Sequence, residues 1–298
     1  MKVKIFLLCA AFIFAGMLAQ AQVKLSFNPA KGEKYAYRTV SDQKTQMNFG
    51  GQSMNMNFLV EVVTEMNVRE NNNAEISVDY IYKEMAMTSS SPMLSFKIDT
   101  KNKTASTTDF EKIGISLFDC IVGKTLQVVV LPDGRVKSFN GYGAIKDAFQ
   151  KVLATASGNN PQMANMLITS AFTEDAMKNS FEQSFKIYPN KEVKIGDTWN
   201  NVLSYSTDAS SSNTNNTFTV KSIANGIALI DVISATSTKP AGGAGEMKGE
   251  QKGEMKVNVK TGMVVESSLS GTAKGNFSSP GGEGSMEQTS KTTVTLQK

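Results

Sequence analysis

Ser41 and Lys44 stand at SxxK spacing, which on a helical turn sets a lysine amine beside a serine hydroxyl for acyl transfer. Here the motif falls in a segment of strand-like alternation, where residues three apart point to opposite faces, so it is predicted to be inert. Glu174 and Asp175 follow Thr173 as acids follow an N-cap, and the helix dipole accounts for them without catalysis. The chain has no histidine, which removes Ser-His-Asp, Cys-His and His-rich zinc chemistry together. Of its two cysteines, Cys9 sits in an apolar leader and Cys120 in the apolar stretch Ile115 to Val122. A single mature thiol supports no disulfide, thiolate metal site or redox pair, and Cys120 reads as buried and inert. The glycines near Gly242, Gly243 and Gly245 lack GxGxxG spacing, and there is no Walker A loop or GxSxG elbow. The remaining hydrolytic option is a carboxylate pair, distant in sequence and converging in a cleft. The expectation is no catalytic residue, no metal and no cofactor.

Methionine is the positive signal. Fourteen of the 16 methionines lie beyond the leader, many where β-branched residues are preferred on strands. Methionine adapts its shape, and methionine-rich surfaces suit ligands of variable form such as acyl chains. Met54, Met56, Phe58, Met66, Met85, Met87, Met247 and Met255 are the candidate ligand-binding residues. The competing explanation is that they fill core between sheet and helices. Trp199 and the tyrosines 35, 37, 80 and 82 read as strand packing.

The elements that must position this face are antiparallel strands. From Met54 to Arg69 the even positions are apolar apart from Thr64, and Asn, Glu and Arg dominate the odd ones. Gly50-Gly51 before it and Asn71-Asn72-Asn73 after it are turn chemistry, so Lys34 to Phe49 and about Ala74 to Thr88 should pair with it. Strands this long must twist, which favours a curved sheet or half-barrel. A helix is expected over Asp109 to Val122, capped at Thr108 or Asp109, followed by a hairpin around Pro132-Asp133-Gly134-Arg135. Helical spacing then runs from Tyr142 to Lys186, with starts at Pro161 and Thr173 for its later helices. Strands return over Thr198–Thr207, Asn216–Ala224, Ile227–Thr238, Glu246–Lys260, Met263–Asn276 and Ser285–Gln297. Asp208 to Asn216 and Thr238 to Gly245 read as polar loops. The segments from Pro29 through Gly32-Glu33 to Tyr35, and from Pro189 through Gly196-Asp197 to Trp199, look alike and suggest two related β halves.

The N-terminus supplies an address. Lys2 and Lys4 precede an apolar run from Ile5 to Leu18 that closes on Ala19-Gln20-Ala21, the pattern of a signal peptide cut between Ala21 and Gln22. The run is too short to span a bilayer, so the mature chain is expected in the periplasm, secreted or at the cell surface, without a transmembrane segment. The formal charge of +4 includes Lys2 and Lys4, which leaves +2 spread without a basic cluster and points to no nucleic acid. The domain reading is 1–21 leader, 22–141 first β block, 142–188 helical segment and 189–298 second β block, forming one compact unit.

The leader ending in AQAQ, Gly32-Glu33-Lys34-Tyr35, Val122-Gly123-Lys124, the Leu131 to Val136 hairpin and Ile195 to Trp199 together resemble an uncharacterised family of secreted Bacteroidota proteins of about 300 residues. More distantly, long curled strands with helices on one face look like periplasmic lipoprotein carriers of the LolA and LppX type. The fold expected from the elements above is mainly β (α+β), a long curved antiparallel sheet or half-barrel with a central helical segment packed on one face. The expected function is non-enzymatic binding or carriage of an apolar, lipid-like ligand. A structural or envelope protein-interaction module, and a carboxylate-only hydrolase, are the alternatives.

Overall fold

The computed structural model describes residues 22–91, 95–105, 108–155, 172–189, 191–206, 210–240, 245–279 and 282–297. The expected leader, and with it Ala21 of the cleavage site, lies outside these residues, as does the helix expected from Pro161 through Met163, Met166 and Leu167. Three long strands, β2 (Lys34–Phe49), β3 (Gln52–Asn71) and β4 (Ile76–Ser90), form the expected meander. β1 (Val23–Lys24) precedes them, and the short β5 (Phe96–Asp99) follows. Helix α1 (Asp109–Asp119) carries a full capping box between Thr108 and Glu111 and ends three residues earlier than expected. Then come the hairpin β6 (Thr125–Val130) and β7 (Val136–Asn140), and the helices α2 (Tyr142–Thr155) and α3 (Glu174–Phe185), the latter capped by Thr173 as expected. The second block contains β8 (Glu192–Val193), β9 (Thr198–Ser206), β10 (Ser210–Ala224), β11 (Ile227–Pro240), β12 (Gly245–Asn258), β13 (Val264–Ser279) and β14 (Gly282–Gln297).

Two loop expectations are corrected. Ser210–Asn216 belongs to β10 and Thr238–Pro240 to β11, so the polar stretches are paired strand up to the edge of the described residues. Hydroxyls replace apolar packing there: Ser212 Oγ lies 2.9 Å from Thr238 Oγ1, and Thr214 Oγ1 3.0 Å from Thr236 Oγ1, directly across the ladder.

Twelve strands join one antiparallel sheet in the order β7-β6-β4-β3-β2-β14-β13-β12-β11-β10-β9, with β5 added to β4. At about 4.8 Å per strand the two edges would stand roughly 48 Å apart if the sheet were flat. Yet α3 meets both. Phe181 of α3 packs on Phe139 of β7 with ring centroids 5.4 Å apart, while Lys186 Nζ, at the helix C-cap, donates to the Val202 carbonyl of β9 at 3.2 Å. A helix is only about 10 Å wide, so the sheet curls through most of a turn and α3 fills the gap.

The two halves follow one plan. The Gly32 amide donates to the Val68 carbonyl at 2.8 Å and the Val68 amide to the Glu33 carbonyl at 2.9 Å; Gly196, Val220 and Asp197 repeat this at 2.8 and 3.0 Å. Glu33 Oε2 accepts from the Ala30 amide at 2.7 Å, as Asp197 Oδ2 accepts from that of Lys194 at 3.1 Å. Bulges follow at Val68/Glu70 and Val220/Ser222, and across them Arg69 pairs with Asp79 at 3.0 Å and Lys221 with Asp231 at 3.4 Å. Asn73 and Asn225 are the two non-glycine residues with positive φ among the described residues, and each turns the corresponding hairpin. The turns at Gly134 (φ +83) and Gly262 (φ +73) match as well. Hence β2, β3, β4, β6 and β7 correspond to β9 through β13, and β14 joins the two sets. The prolines of the sequence comparison do not correspond: Pro29 directly precedes the first turn, Pro189 stands five residues before the second.

The chain entering each half crosses the hairpin of the other. A Cβ on Gly262 would meet the Ser26 carbonyl oxygen at 2.0 Å, and one on Gly134 the Phe185 oxygen at 1.9 Å. The two entering segments also pair with each other through β1 and β8, and Phe27 packs on Phe185 at 4.9 Å. Gly134→Ala and Gly262→Ala should therefore each lose about 3 kcal/mol or more, since backbone overlap adds to the left-handed penalty. Gly32→Ala and Gly196→Ala, with open space around the added methyl, should lose only about 1 kcal/mol. Equal losses in chemical denaturation would contradict the crossing.

Four core phenols give a second test. Burial raises the pKa of Tyr37, Tyr80, Tyr82 and Tyr188 above the ordinary phenol value. The unfolded chain therefore ionises first, so their contribution to stability is complete below about pH 10 and declines above it. Tyrosinate absorbance should register these four only as the fold is lost; their release near pH 10 with secondary structure intact would refute the burial.

Candidate ligand-binding site on the concave face

Register decides which side chains share a face. Met54 lies opposite Met47, Met47 opposite Met286, Met286 opposite Gly275, and Gly275 opposite Met247, one row across β3, β2, β14, β13 and β12. A second row runs Met85, Val62, Thr39, Val294, Ser267, Met255. With Met56, Phe58 and Met66 alternating on β3, and Met87 opposite Val60, all eight expected site residues occupy the face that looks toward α3. They do not converge on one point. Met66, Met85 and Met255 are buried core, whereas Met54, Met56, Phe58, Met87 and Met247 are half-buried further along the strands.

This concave face carries no charge on its strands. Every Asp, Glu, Lys and Arg of β2, β3, β4 and β9 to β14 takes the opposite face, except Arg69, Lys83 and Lys221, which stand at bulges and are exposed. Outside, the charges pair across strands, as in Arg38 with Glu61 at 2.7 Å and Lys274 with Glu287 at 2.9 Å. Such exposed pairs contribute little each. The charged outer face is the reverse of a membrane barrel, whose outer band is apolar. Among the described residues no helix is long and apolar enough to cross a membrane.

Two adjoining cavities open on the concave face. One, of about 210 Å³, is walled by Phe27, Tyr37, Met66, Tyr80, Tyr188 and Val264. The other, of about 330 Å³, lies between Leu203 and Phe218 on one side and the hydroxyls and amides of β10, β11 and β12 on the other. Met255, Ile187 and Gln183 line both, so they are neighbouring compartments. Met54, Met56, Phe58, Met85, Met87 and Met247 line neither.

The polar wall was not foreseen. Ser234 Oγ donates to Asn216 Oδ1 at 2.6 Å, and Asn216 Nδ2 to Asn201 Oδ1 at 2.8 Å. The hydroxyl pairs Ser212–Thr238 and Thr214–Thr236 continue the array toward the strand ends. Its signal was alternation of Ser, Thr and Asn at 212, 214 and 216 and at 234, 236 and 238, which reads as loop when hydrophobicity alone marks the buried face. A larger concavity of about 1040 Å³ wraps the ends of β9 to β13, lined mainly by outward serines, lysines and glutamates such as the Lys248–Glu246 pair at 3.3 Å. It has the character of a solvated, twisted sheet surface.

The remaining candidates resolve simply. Ser41 Oγ faces Thr292 Oγ1 at 3.1 Å inside the sheet while Lys44 is exposed outside, so the SxxK pair is separated. Cys120 is buried, its Sγ on the Ser116 carbonyl at 3.2 Å, and burial raises its thiol pKa. Trp199 donates from Nε1 to the Ile187 carbonyl at 3.0 Å and stacks on Phe218 at 5.3 Å, a packing role. Among the described residues no three carboxylate or thiol groups converge as metal ligands.

No curated protein matches the chain. Among solved structures, lipovitellin, described for its lipid–protein interactions, aligns over 91% of this chain and 25% of its own at 10% identity, with TM-score 0.49. The chain thus spans about a quarter of that protein. OccK5 of Pseudomonas aeruginosa covers 89% of this chain and 99% of its own at 5% identity and TM-score 0.23. DynF, from the dynemicin biosynthesis pathway of Micromonospora chersina, covers 93% and 86% at 6% identity and TM-score 0.22. At these scores none of the three carries an argument. The family of unknown function DUF6263 matches residues 71–264, more than half of the chain, and the chain belongs to that family.

Proposed function

We propose that this is an extracytoplasmic, non-enzymatic binding protein that holds an apolar, lipid-like ligand against the concave face of its sheet. The observation that carries the reading is the uncharged concave face with its two adjoining cavities of about 210 and 330 Å³. A purely structural module would fill that space with its own side chains, as this chain does around Ile76, Ile98 and Val128. Half-buried Met54, Met56, Met87 and Met247 extend the apolar surface beyond the cavities. The leader pattern supports export, and binding by burial needs no covalent chemistry. A carboxylate pair for hydrolysis has no place on this face, because its strands carry no acid.

Expression of the full chain in a bacterial periplasm, purification without detergent, native mass spectrometry and solvent extraction test this reading. A co-purifying lipid at near-stoichiometric amount is expected; a clean apo mass that takes up no added fatty acid or monoacylglycerol would overturn it. Charge placement gives an independent check. Met255→Lys puts an ammonium between the two cavities and should cost about 3 kcal/mol or more. Ile233→Lys, at an outward position 59% exposed, should stay within about 0.5 kcal/mol. Denaturation curves that rank the two the other way would mean the inner face is not the dry one.

A further inference from the structure

We infer that the ligand is an uncharged amphiphile, an acyl chain bearing a neutral hydroxyl- or carbonyl-rich head such as an acylglycerol, with the head held by the polar wall of β10 to β12. This rests on the lipid-binding reading and adds the chemical class. An apolar tail alone does not account for the 330 Å³ compartment, whose lining includes Thr214, Asn216, Ser234, Thr236 and Gln251. Buried hydroxyls and amides cost free energy unless they are hydrogen-bonded, and these keep their geometry by bonding across strands. A hydroxyl that donates once still accepts, so the array keeps spare hydrogen-bonding capacity in the lining of the compartment.

Charge decides between neutral and ionic heads. A phosphate or carboxylate in this compartment would need a cation or several aimed donors, because an unpaired buried charge is strongly disfavoured. The lining contains no lysine or arginine, and the nearby lysines of β12, Lys248, Lys252 and Lys256, alternate onto the outer face. The neighbouring 210 Å³ compartment, walled by Phe27, Met66 and Tyr80, takes the first part of a tail. Met255, Ile187 and Gln183 line both and form their shared boundary. Polar head in one compartment and aromatic tail pocket in the other therefore match one amphiphile spanning both, from β10 to β12 across to β2 to β4.

The test compares 1-monooleoylglycerol with oleate at pH 8, using delipidated full-chain protein and native mass spectrometry together with displacement of a fluorescent probe. The expected result is at least tenfold tighter binding of the monoacylglycerol. Thr214→Val with Thr236→Val removes both partners of one hydroxyl pair, which leaves no orphaned group and should leave thermal stability nearly unchanged. That double variant should weaken monoacylglycerol binding about five- to tenfold and leave oleate binding unchanged. Equal or tighter oleate binding overturns the neutral-head inference while leaving lipid binding standing. A stable double variant that keeps full preference for monoacylglycerol overturns the placement of the head. If neither probe binds, the lipid-binding reading itself fails.

Discussion

The crossing of the two entering segments is the constraint on which the remainder depends. Residues 25–28 pass over the Gly262 turn of the second half, and residues 185–188 over the Gly134 turn of the first. Neither turn tolerates a side chain beneath the strap, and the straps pair with each other through Val23 and Val193. Leu25, Phe27 and Val193 are fully enclosed as a result. A sheet pinned this way at one end of its strands cannot lie flat; the free ends of β2, β3 and β10 to β14 extend beyond the knot and enclose space. Tyr188 Oη, bonded to the Gly262 carbonyl at 2.7 Å, and Tyr37 Oη, bonded to that of Val264 at 2.9 Å, close the floor of that space.

From this geometry comes a division of chemistry between the faces. The convex face holds the charges, where water solvates them and cross-strand pairing costs little. The concave face is apolar near the crossing and on β3 and β4, and hydroxyl- or amide-bearing on β10 to β12. Glycines on the inner face of the second half, Gly249 and Gly253 of β12 and Gly271 and Gly275 of β13, have close cross-strand neighbours instead of side chains. The first half fills the matching region with Met85, Met87 and the additional strand β5. One plan, built twice, thus yields one packed half and one half that keeps room.

Much of the fold was legible because strand periodicity is local. Lys34–Phe49 carries its strand boundaries in its own alternation and in Gly50-Gly51, and the Thr108–Glu111 box announces its helix. The likeness between the two Gly-acid turns was readable, but its meaning was not, since the equivalence is carried by bonds to Val68 and Val220, far along the chain. β1, β5 and β8 are too short to show a period. The candidate methionines share one side of the sheet because side-chain period and register alone fix that. Their division into core and open surface depends on where α3 and the entering segments sit, which no local pattern encodes. The hydroxyl wall escaped because Ser212, Thr214 and Asn216 meet their partners Thr238, Thr236 and Ser234 only when β11 lies beside them.

The central claim, that the concave face is the binding surface, has native reporters in its methionines. Methyl NMR of protein labelled at methionine, before and after addition of 1-monooleoylglycerol, tests it most directly. The account predicts shifts for Met255 and Met66 at the cavities and for Met54, Met56, Met87 and Met247 beyond them, with Met177 of α3 little changed. Shifts confined to methionines off this face, or none at all with lipid bound, would place the ligand elsewhere and contradict the account.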